Sequence, residues 1–413
     1  MAQRPEQENP GGSRVDTTEP ARTEYHAEYD VEGTGPSART MLIAMLGSIT
    51  AVGITLGITA PLFSVLLDRM GLDTATVGLN TSLGVGATLI TAPLVPWLLT
   101  RFGAVPVMLC GIVLSAGGIV TAGYLQIAWL WFPLRFVIGI GMSLHWVISE
   151  TCVNQFSSEA KRGLVAGVYS SLFGLGFAAG PLIVRATGVD GLAPFLISAG
   201  LVLAAAIPLI WMRGAAPAMG HQHGQTMASV LHLAPVIMLA SVVSGFVDSA
   251  TLALLPLYGL RVGMDAGTAI ELVAISTFGA VALQLPIGWV ADRFGRRATL
   301  IGCALSGALT VAILPAVLHV TWLLWLVLFL WGGGVVAFYT LALALLGGAF
   351  RGTAAAKANT ALVIAYCLGS IAGPPAAGGA MDWLGPHGFV VVMALVACLL
   401  VAVALPRLRA TRF

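Results

Sequence analysis

Long apolar runs separated by short polar segments are the dominant pattern of this chain. Each run is long enough to cross the hydrocarbon core of a bilayer as a helix, which takes about 20 residues. A membrane barrel would instead show short segments of alternating polarity. The pattern predicts an all-α integral membrane protein with twelve transmembrane helices, numbered here in chain order. The predicted spans are 41–66, 75–99, 104–124, 128–152, 164–186, 191–212, 233–258, 268–291, 297–318, 321–347, 357–380 and 387–406.

Basic residues are divided unevenly between the two sides of the predicted bundle. Of the 20 Lys and Arg residues, sixteen fall on the side that holds both termini, and the other side holds Arg69, Arg185 and Arg261. Loops rich in Lys and Arg remain in the cytoplasm. We therefore expect a multi-pass protein of the bacterial cytoplasmic (inner) membrane with both termini in the cytoplasm.

The composition agrees with a membrane protein and excludes other classes. Hydrophobic residues make up 58% of the chain and charged residues only 9%, whereas soluble domains carry about 25% charged residues. The scattered basic residues do not suggest nucleic acid as a partner. The five cysteines lie in apolar spans without metal-like or disulfide-like spacing. Since catalytic and nucleotide-binding motifs are also missing, we expect neither an enzyme nor a bound cofactor or metal.

The polar segments define the predicted organisation of the chain. The first 39 residues hold eight acidic residues against four arginines, a composition typical of a disordered tail; a partner-binding segment is the alternative. The first apolar run begins only at Met41, so we expect helix 1 to stay in the membrane. The predicted units are a cytoplasmic tail (1–39), a six-helix half (40–212), a central cytoplasmic loop (213–232), a second six-helix half (233–406) and a short tail (407–413).

Four short motifs of the first half return in the second half after 192 or 193 residues. Secondary transporters use such internal repeats to build two halves that rock around a site near the membrane midplane. The spacing therefore predicts an internal duplication. The repeated pairs are Gly71–Asp73 with Gly263–Asp265, Arg101–Gly103 with Arg293–Gly295, Gly139–Gly141 with Gly332–Gly334, and Gly176–Pro181 with Gly369–Pro374.

The segment G-W-V-A-D-R-F-G-R-R connects predicted helices 8 and 9. Its charges are too costly to place in lipid, so it lies at the membrane surface, and Gly295 permits a tight reversal of the chain. It resembles the G-x-x-x-D-R-x-G-R-R signature of the major facilitator superfamily of secondary transporters. The resemblance extends over residues 41–406 and implies two pseudo-symmetric six-helix halves that work by alternating access. The signature residues are Gly288, Asp292, Arg293, Gly295, Arg296 and Arg297.

In the superfamily this motif is thought to latch the inner face shut through its Asp, its Arg and the N-terminus of a neighbouring helix. An imperfect copy between helices 2 and 3 keeps Arg101 and Gly103 but has Thr100 at the position of Asp292. The resemblance therefore implies an asymmetric latch made by the second copy. A topology signal without a latch is the alternative.

Helix 4 carries Arg135 about two turns below its outer end. A guanidinium there costs at least ~2.5 kcal/mol unless it faces protein or water. The resemblance implies a role in proton coupling, because the superfamily has a helix-4 arginine ahead of a glycine pair; a snorkelling anchor or a packing ion pair are the alternatives. Glu150 lies within about 60° of the same helix face. It either gates the pathway with Arg135 or braces the turn at Lys161.

Asp248 lies in the middle of predicted helix 7 without a basic residue near it in sequence. A carboxylate held out of water binds a proton more readily, as a proton-coupled carrier requires. We therefore expect Asp248 and Arg135 to form the coupling pair; a hydrogen bond to a helix neighbour is the alternative. Glu271, at the start of helix 8, is predicted to be a solvated first-turn acid.

Glycines in helix 5 follow most of the superfamily's G-x8-G-x3-G-P-x2-G-G antiporter signature. The closing glycine pair is replaced by Val184 and Arg185. The match favours export by antiport, and close helix packing is the alternative role of the same glycines. The matching residues are Gly167, Gly176, Gly180 and Pro181.

Other polar residues inside spans are candidates for the substrate cavity or for ordinary interhelical hydrogen bonds. The histidines near the central loop, with nearby methionines, leave transition-metal (copper) transport as a lesser alternative. The cavity candidates are His145, Gln284, Tyr339 and Asn80, and the loop histidines are His221, His223 and His232.

Three stretches resemble the YcaD-like branch of the superfamily: Arg135–Glu150, Leu255–Tyr258 and Leu285–Gly295. This resemblance implies no particular substrate. We expect a monomeric carrier whose partners are a small molecule, the proton and the lipid bilayer. Proton-coupled export of an organic compound is the predicted function, and proton-coupled or facilitated import is the alternative.

Overall fold

The computed structural model describes residues 38–157, 162–210, 235–349 and 352–407. Within these ranges all regular secondary structure is helical. Ten helices are long and apolar enough to cross a membrane, and two shorter apolar helices, Ala193–Leu209 and Gly388–Ala404, complete the set. The predicted all-α fold with twelve helices is therefore confirmed.

The twelve helices are labelled α1 to α12 and correspond one to one with the predicted spans. Helices are the expected form because a bilayer offers no hydrogen-bond partners to an open backbone. Their bounds are α1 Ala38–Arg69, α2 Thr74–Thr91 (continued by a 3-10 turn Ala92–Leu94 and a helix Val95–Phe102), α3 Ala104–Tyr124, α4 Trp131–Phe156, α5 Arg162–Thr187, α6 Ala193–Ala204 (followed by Ile207–Ile210), α7 Pro235–Arg261, α8 Ala266–Phe294, α9 Arg296–Val317, α10 Thr321–Ala349, α11 Gly352–Leu384 and α12 Gly388–Ala404.

The two halves, α1–α6 and α7–α12, repeat the same turn before their second helix. Gly71 and Gly263 adopt φ values of 87° and 92°, which a residue with a Cβ rarely adopts. Asp73 and Asp265 then cap α2 and α8, each accepting a hydrogen bond from the backbone N–H three residues later. Hydrogen bonds from the Thr268 side chain and backbone hold the pKa of Asp265 below its usual range. The internal duplication predicted from sequence spacing is thus also present in backbone geometry.

The bundle has two ends, named here after one residue at each. The Asp382 end carries the turns that follow α1, α3, α5, α7, α9 and α11. The Arg296 end carries the turns that follow α2 and α8, where Gly103 and Gly295 have φ values of 81° and 93°. Buried aromatic rings stabilise the first half near the Asp382 end, where Phe63 of α1 lies 4.7 Å from Trp131 of α4.

Candidate functional site

Asp382, near the end of α11, ties that helix to the first half. Its carboxylate accepts hydrogen bonds from the backbone N–H groups of Thr74 (3.0 Å) and Ala75 (2.9 Å), where α2 begins. A helix N-terminus favours a carboxylate through its free N–H groups and its dipole. Arg261 of α7 lies 3.4 Å from Asp382 and 3.6 Å from Asp68 of α1. Ion pairs therefore join α7 to α1 and α11 at this end, and hydrogen bonds join α11 to α2.

The opposite seam between the halves, where α5 meets α8, holds a second ionic contact. Arg185 of α5 forms an ion pair with Glu271 of α8, whose side chain is only 13% exposed. The prediction that Glu271 is a solvated acid is therefore wrong, because a basic residue from the other half reaches it. Arg185 is also the residue that interrupts the closing glycines of the helix-5 signature. We call this set of contacts the clasp; its side chains are Asp68, Arg185, Arg261, Glu271 and Asp382.

One ion pair of the clasp has a twin in the first half that the sequence interpretation missed. Arg69 lies 2.7 Å from Asp190, and both residues precede Arg261 and Asp382 by 192 positions, the same offset as the repeated turns. That offset was the signal that could have found the pair. The twin is not part of a seam, because Asp190 is 86% exposed and contacts Arg69 within its own half.

Asp248 lies thirteen residues from each end of α7, at the middle of the membrane span. Its carboxylate is half-buried and accepts a hydrogen bond from the hydroxyl of Tyr366 in α11, at 3.1 Å. The Tyr366 ring in turn meets Tyr339 of α10, with ring centroids 5.3 Å apart and planes 70° apart. In the described part of the chain no basic side chain pairs with Asp248. Asp248 is therefore hydrogen-bonded, as the alternative interpretation of this residue expects, and its partner Tyr366 lies on a different helix.

Glu150 lies on α4 and is exposed. The indole of Trp146, one turn earlier, donates a hydrogen bond to it, and Trp146 packs against Phe173 of α5 at 4.8 Å. The Glu150 charge acts on Tyr339 of the second half. Glu150 therefore lies near Tyr339 of the second half, whereas its predicted bracing partner Lys161 lies outside the described residues.

Arg135 is buried in the first half, with 7% of its surface exposed. Its guanidinium lies 5.3 Å from the ring centre of Phe63, and its Nε lies 3.3 Å from where a Cβ on Gly84 of α2 would stand. Nε and Nη1 have no hydrogen-bond partner. Arg135 and Asp248, the predicted coupling pair, are not joined by an ion pair in this state.

Two cavity candidates make interhelical hydrogen bonds in the interior. Ser48 donates its hydroxyl proton to the carbonyl of Ala205 (3.0 Å), so His145 must donate through Nε2 to the Ser48 oxygen (3.0 Å). Asn80 donates to the carbonyl of Trp131 at 3.1 Å. Both side chains are about 1% exposed. In this state His145 and Asn80 therefore have the alternative role, that of ordinary interhelical hydrogen bonds.

The other two cavity candidates remain accessible. Gln284 is exposed on α8, and Tyr339 is half-buried beside Tyr366. The loop histidines that suggested the alternative of metal transport, His221, His223 and His232, lie outside the described residues.

The predicted latch lies at the Arg296 end. Arg296 donates to the carbonyl of Ala344 (2.6 Å) near the C-terminus of α10, where a cation is favourable, and lies 4.0 Å from Asp292. Arg293 stacks over Trp289 at 5.7 Å. The described contacts of Arg296 and Asp292 thus stay within the second half, and a contact between Asp292 and a helix of the first half stays a prediction.

The first copy of this motif lacks the carboxylate. Thr100 donates its hydroxyl to the carbonyl of Trp97 (2.9 Å) in its own helix, and Arg101 is exposed. The asymmetric latch itself stays a prediction.

Comparison with known proteins decides the family. The profile described as Major Facilitator Superfamily matches residues 43–270 and 237–412. This chain belongs to the Major Facilitator Superfamily. It is accordingly a multi-pass membrane protein and a secondary transporter of small molecules.

Relatives within the superfamily share much of the chain. An uncharacterised MFS-type transporter of Bacillus subtilis, YfkF, is 28% identical over 351 residues, which cover 83% of this chain and 88% of that protein. An uncharacterised MFS-type transporter of Salmonella paratyphi B, YcaD, is 24% identical over 342 residues, which cover 81% and 87%. The YcaD resemblance noted in the sequence is therefore confirmed.

Two solved structures have the same fold. A mutant of the nucleoside transporter NupG superposes with a TM-score of 0.74 at 14% identity, over 90% of this chain and 100% of that one. A bacterial homologue of the human lysosomal transporter Spinster gives a TM-score of 0.72 at 15% identity, over 92% and 99%. Both confirm the superfamily fold of two six-helix halves.

The superfamily's helix-5 signature has a visible packing role. A Cβ on Gly176 would lie 2.6 Å from the carbonyl oxygen of Thr50, and a Cβ on Gly180 would lie 2.4 Å from the backbone of Gly57. Nothing lies within 4 Å of such an atom on Gly167. Two of the three glycines therefore let α5 approach α1 closely.

The same packing occurs in the second half, which has no antiporter signature of its own. A Cβ on Gly369 would lie 2.0 Å from the carbonyl oxygen of Val242, and one on Gly373 would lie 2.3 Å from that of Phe246. Close approach of α11 to α7 thus repeats the approach of α5 to α1. These contacts are explained by packing alone and do not by themselves indicate a direction of transport.

Proposed function

We propose that this superfamily member is a proton-coupled antiporter that exports a small organic compound by alternating access. Asp248 carries the proposal: it is a half-buried carboxylate at mid-membrane that bonds to Tyr366 and pairs with no basic residue of the described chain. Such a group takes up and releases protons in answer to small changes around it. The titratable groups near it are Tyr366 and Cys367 of α11 and Tyr339 of α10.

Arg135 and Glu150 are the proposed partners of this proton site. Arg135 is a buried cation with two unpartnered nitrogens, so it can pair with a carboxylate when the helices move. Glu150 is exposed and lies near Tyr339 of the second half. A switch of partners between states would link proton binding to helix movement.

The proposed state is closed towards the outside. The clasp joins both seams at the Asp382 end, and the Arg296 end belongs to the side with sixteen basic residues, which the positive-inside rule assigns to the cytoplasm. The Spinster homologue with the same fold is described as inward-facing and occupied. Alternating access then requires the clasp to open.

The test is gradient-driven flux in proteoliposomes. A panel of small organic compounds is screened for movement opposite to an imposed proton gradient, with wild type, Asp248→Asn and the matched surface variant Asp190→Asn. We expect Asp248→Asn to lose gradient-driven flux, because an amide cannot take up and release a proton. Asp190→Asn should behave as wild type.

Two results would overturn the proposal. Compound that moves in the same direction as protons would establish import instead of export. Gradient-driven flux that survives both Asp248→Asn and Arg135→Gln would remove these residues from coupling.

A further inference from the structure

Acidic and aromatic side chains from the two halves lie near one another around Tyr339. The Tyr366 hydroxyl bonds to Asp248 (3.1 Å), and the Tyr366 ring lies 5.3 Å from the Tyr339 ring. The charge of Glu150 acts on Tyr339 from the first half, and Trp146 bonds to Glu150. We call these five side chains the acidic aromatic cluster. Four helices contribute to it: α4, α7, α10 and α11.

The cluster extends from mid-membrane towards the Arg296 end. Asp248 is thirteen residues from the end of α7, whereas Glu150 is six residues from the end of α4. At 1.5 Å per residue these depths are about 20 Å and about 9 Å. Asp248, Tyr339 and Tyr366 are half-buried, and Glu150 and Trp146 are exposed. A molecule that enters from the Arg296 end therefore meets Glu150 before Asp248.

The negative charge of the cluster favours a cationic ligand over an anionic one. Neither carboxylate forms an ion pair with a basic side chain in the described ranges, so an anion would meet unbalanced negative charge. Arg135 forms no ion pair with either carboxylate in this state, and its guanidinium lies against Phe63 and Gly84. A cation, by contrast, gains Coulomb energy at both acids.

The ring faces select the kind of cation. Trp and Tyr rings attract cations through their quadrupole and serve best those that shed water easily, such as quaternary and delocalised ions. A small divalent metal ion needs several oxygen or nitrogen ligands, and no group of three His, Cys, Asp or Glu side chains suited to a metal occurs among the described residues. The apolar surfaces of the rings also favour a lipophilic ligand.

We propose that the substrate is a monovalent lipophilic organic cation, held between Asp248, Tyr339 and Tyr366 on one side and Glu150 and Trp146 on the other. The proposal rests on the proposed transport function and names its substrate class.

The test uses two probes of the same shape and opposite charge. Binding of tetraphenylphosphonium and of tetraphenylborate to the purified full-length protein in detergent is measured by equilibrium dialysis. We expect the phosphonium to bind and the borate not to. Asp248→Asn and Tyr339→Ala should each weaken phosphonium binding by about tenfold or more, as loss of a desolvated charge or ring contact would. Tyr339→Phe should keep most of the affinity because the ring remains.

Matched controls separate binding from folding. Asp190→Asn and Tyr124→Ala change the same residue types at exposed positions and should bind as wild type. Asp248→Glu keeps the charge and should retain binding if Asp248→Asn proves unstable. Equal binding of both probes, or phosphonium affinity unchanged in both Asp248→Asn and Glu150→Gln, would overturn the cation site.

The outcome is distinguishable from failure of the transport proposal. If a neutral or anionic compound shows proton-driven flux while the phosphonium does not bind, the carrier function stands and the substrate class is wrong. If the phosphonium binds at the cluster but no compound moves with a proton gradient, the cation site stands and proton-coupled transport is wrong.

Discussion

Polar side chains inside the spans differ in what they contact. Asn80 and His145 are buried and hydrogen-bonded to neighbouring helices, whereas Asp248 is only partly buried and Glu150 is exposed. The first kind holds helices together, because an unpaired polar group in the interior is costly. The second kind is free to exchange partners or to meet a ligand.

The role of Asn80 can be tested through stability. We expect Asn80→Ala to lower stability by about 0.5–2 kcal/mol, the range for an interhelical hydrogen bond in a membrane, and to leave the KM of a transported compound unchanged. Thermal unfolding and flux are the two measurements. Tyr339→Ala is the comparison variant and should alter KM. A raised KM with unchanged unfolding would instead place Asn80 in the cavity.

At the scale of helices, glycine contacts set how closely elements pack. In α5, Gly176 faces a backbone oxygen of α1, whereas Gly167 faces open space. Backbone atoms cannot rotate away as a side chain can. Substitutions at these two positions therefore distinguish loss of close packing against α1 from a general sensitivity of α5 to substitution.

We expect Gly176→Val to destabilise the protein by about 1–3 kcal/mol, the usual cost of overpacking, and Gly167→Val to have little effect. Thermal unfolding in detergent measures both. Similar losses at the two positions would show that contact with α1 is not the reason for glycine at Gly176.

At the scale of the whole molecule, the duplication is faithful in backbone geometry but not in contacts between halves. Asp382 caps α2, while its repeat partner Asp190 pairs only within its own half. At the other seam, Arg185 pairs with Glu271. Neither residue has a charged counterpart at the equivalent position of the other half. The two halves are thus held together at the Asp382 end by an asymmetric set of charges.

Removing the clasp should favour the state that is open at the Asp382 end. Ser82 of α2 donates to the carbonyl of Ile371 across the seam (2.7 Å) and is buried, so Ser82→Cys in a chain without its native cysteines reports on opening. Bonds to a carboxylate contribute about 1.5–3 kcal/mol, and tenfold corresponds to about 1.4 kcal/mol. We expect Asp382→Asn to speed maleimide labelling at Ser82→Cys by about tenfold.

The twin ion pair provides the control for this experiment. Asp190→Asn removes the same kind of bond at the same end and should leave the labelling rate unchanged, whereas Arg185→Gln should raise it. If Asp382→Asn labels no faster than Asp190→Asn, the clasp does not govern opening.

The sequence by itself determined the number of helices, the superfamily and the duplication. Apolar run length is set by bilayer thickness, and repeated turns such as Gly71–Asp73 and Gly263–Asp265 are local, because one residue with positive φ and one helix cap fix each of them. The same local logic identified Asp248 as a carboxylate with no sequence-near cation.

Only the tertiary structure decided which polar groups meet. The partners of Asp248, Asp382 and Glu271 lie far along the chain, on Tyr366, the first turn of α2 and Arg185. Such pairings depend on helix rotation and on which end of the bundle is closed, and neither is encoded in local periodicity. The sequence therefore supplied the charged and polar residues. The packing of the halves determined which of them form the clasp, which make hydrogen bonds in the interior and which belong to the candidate site.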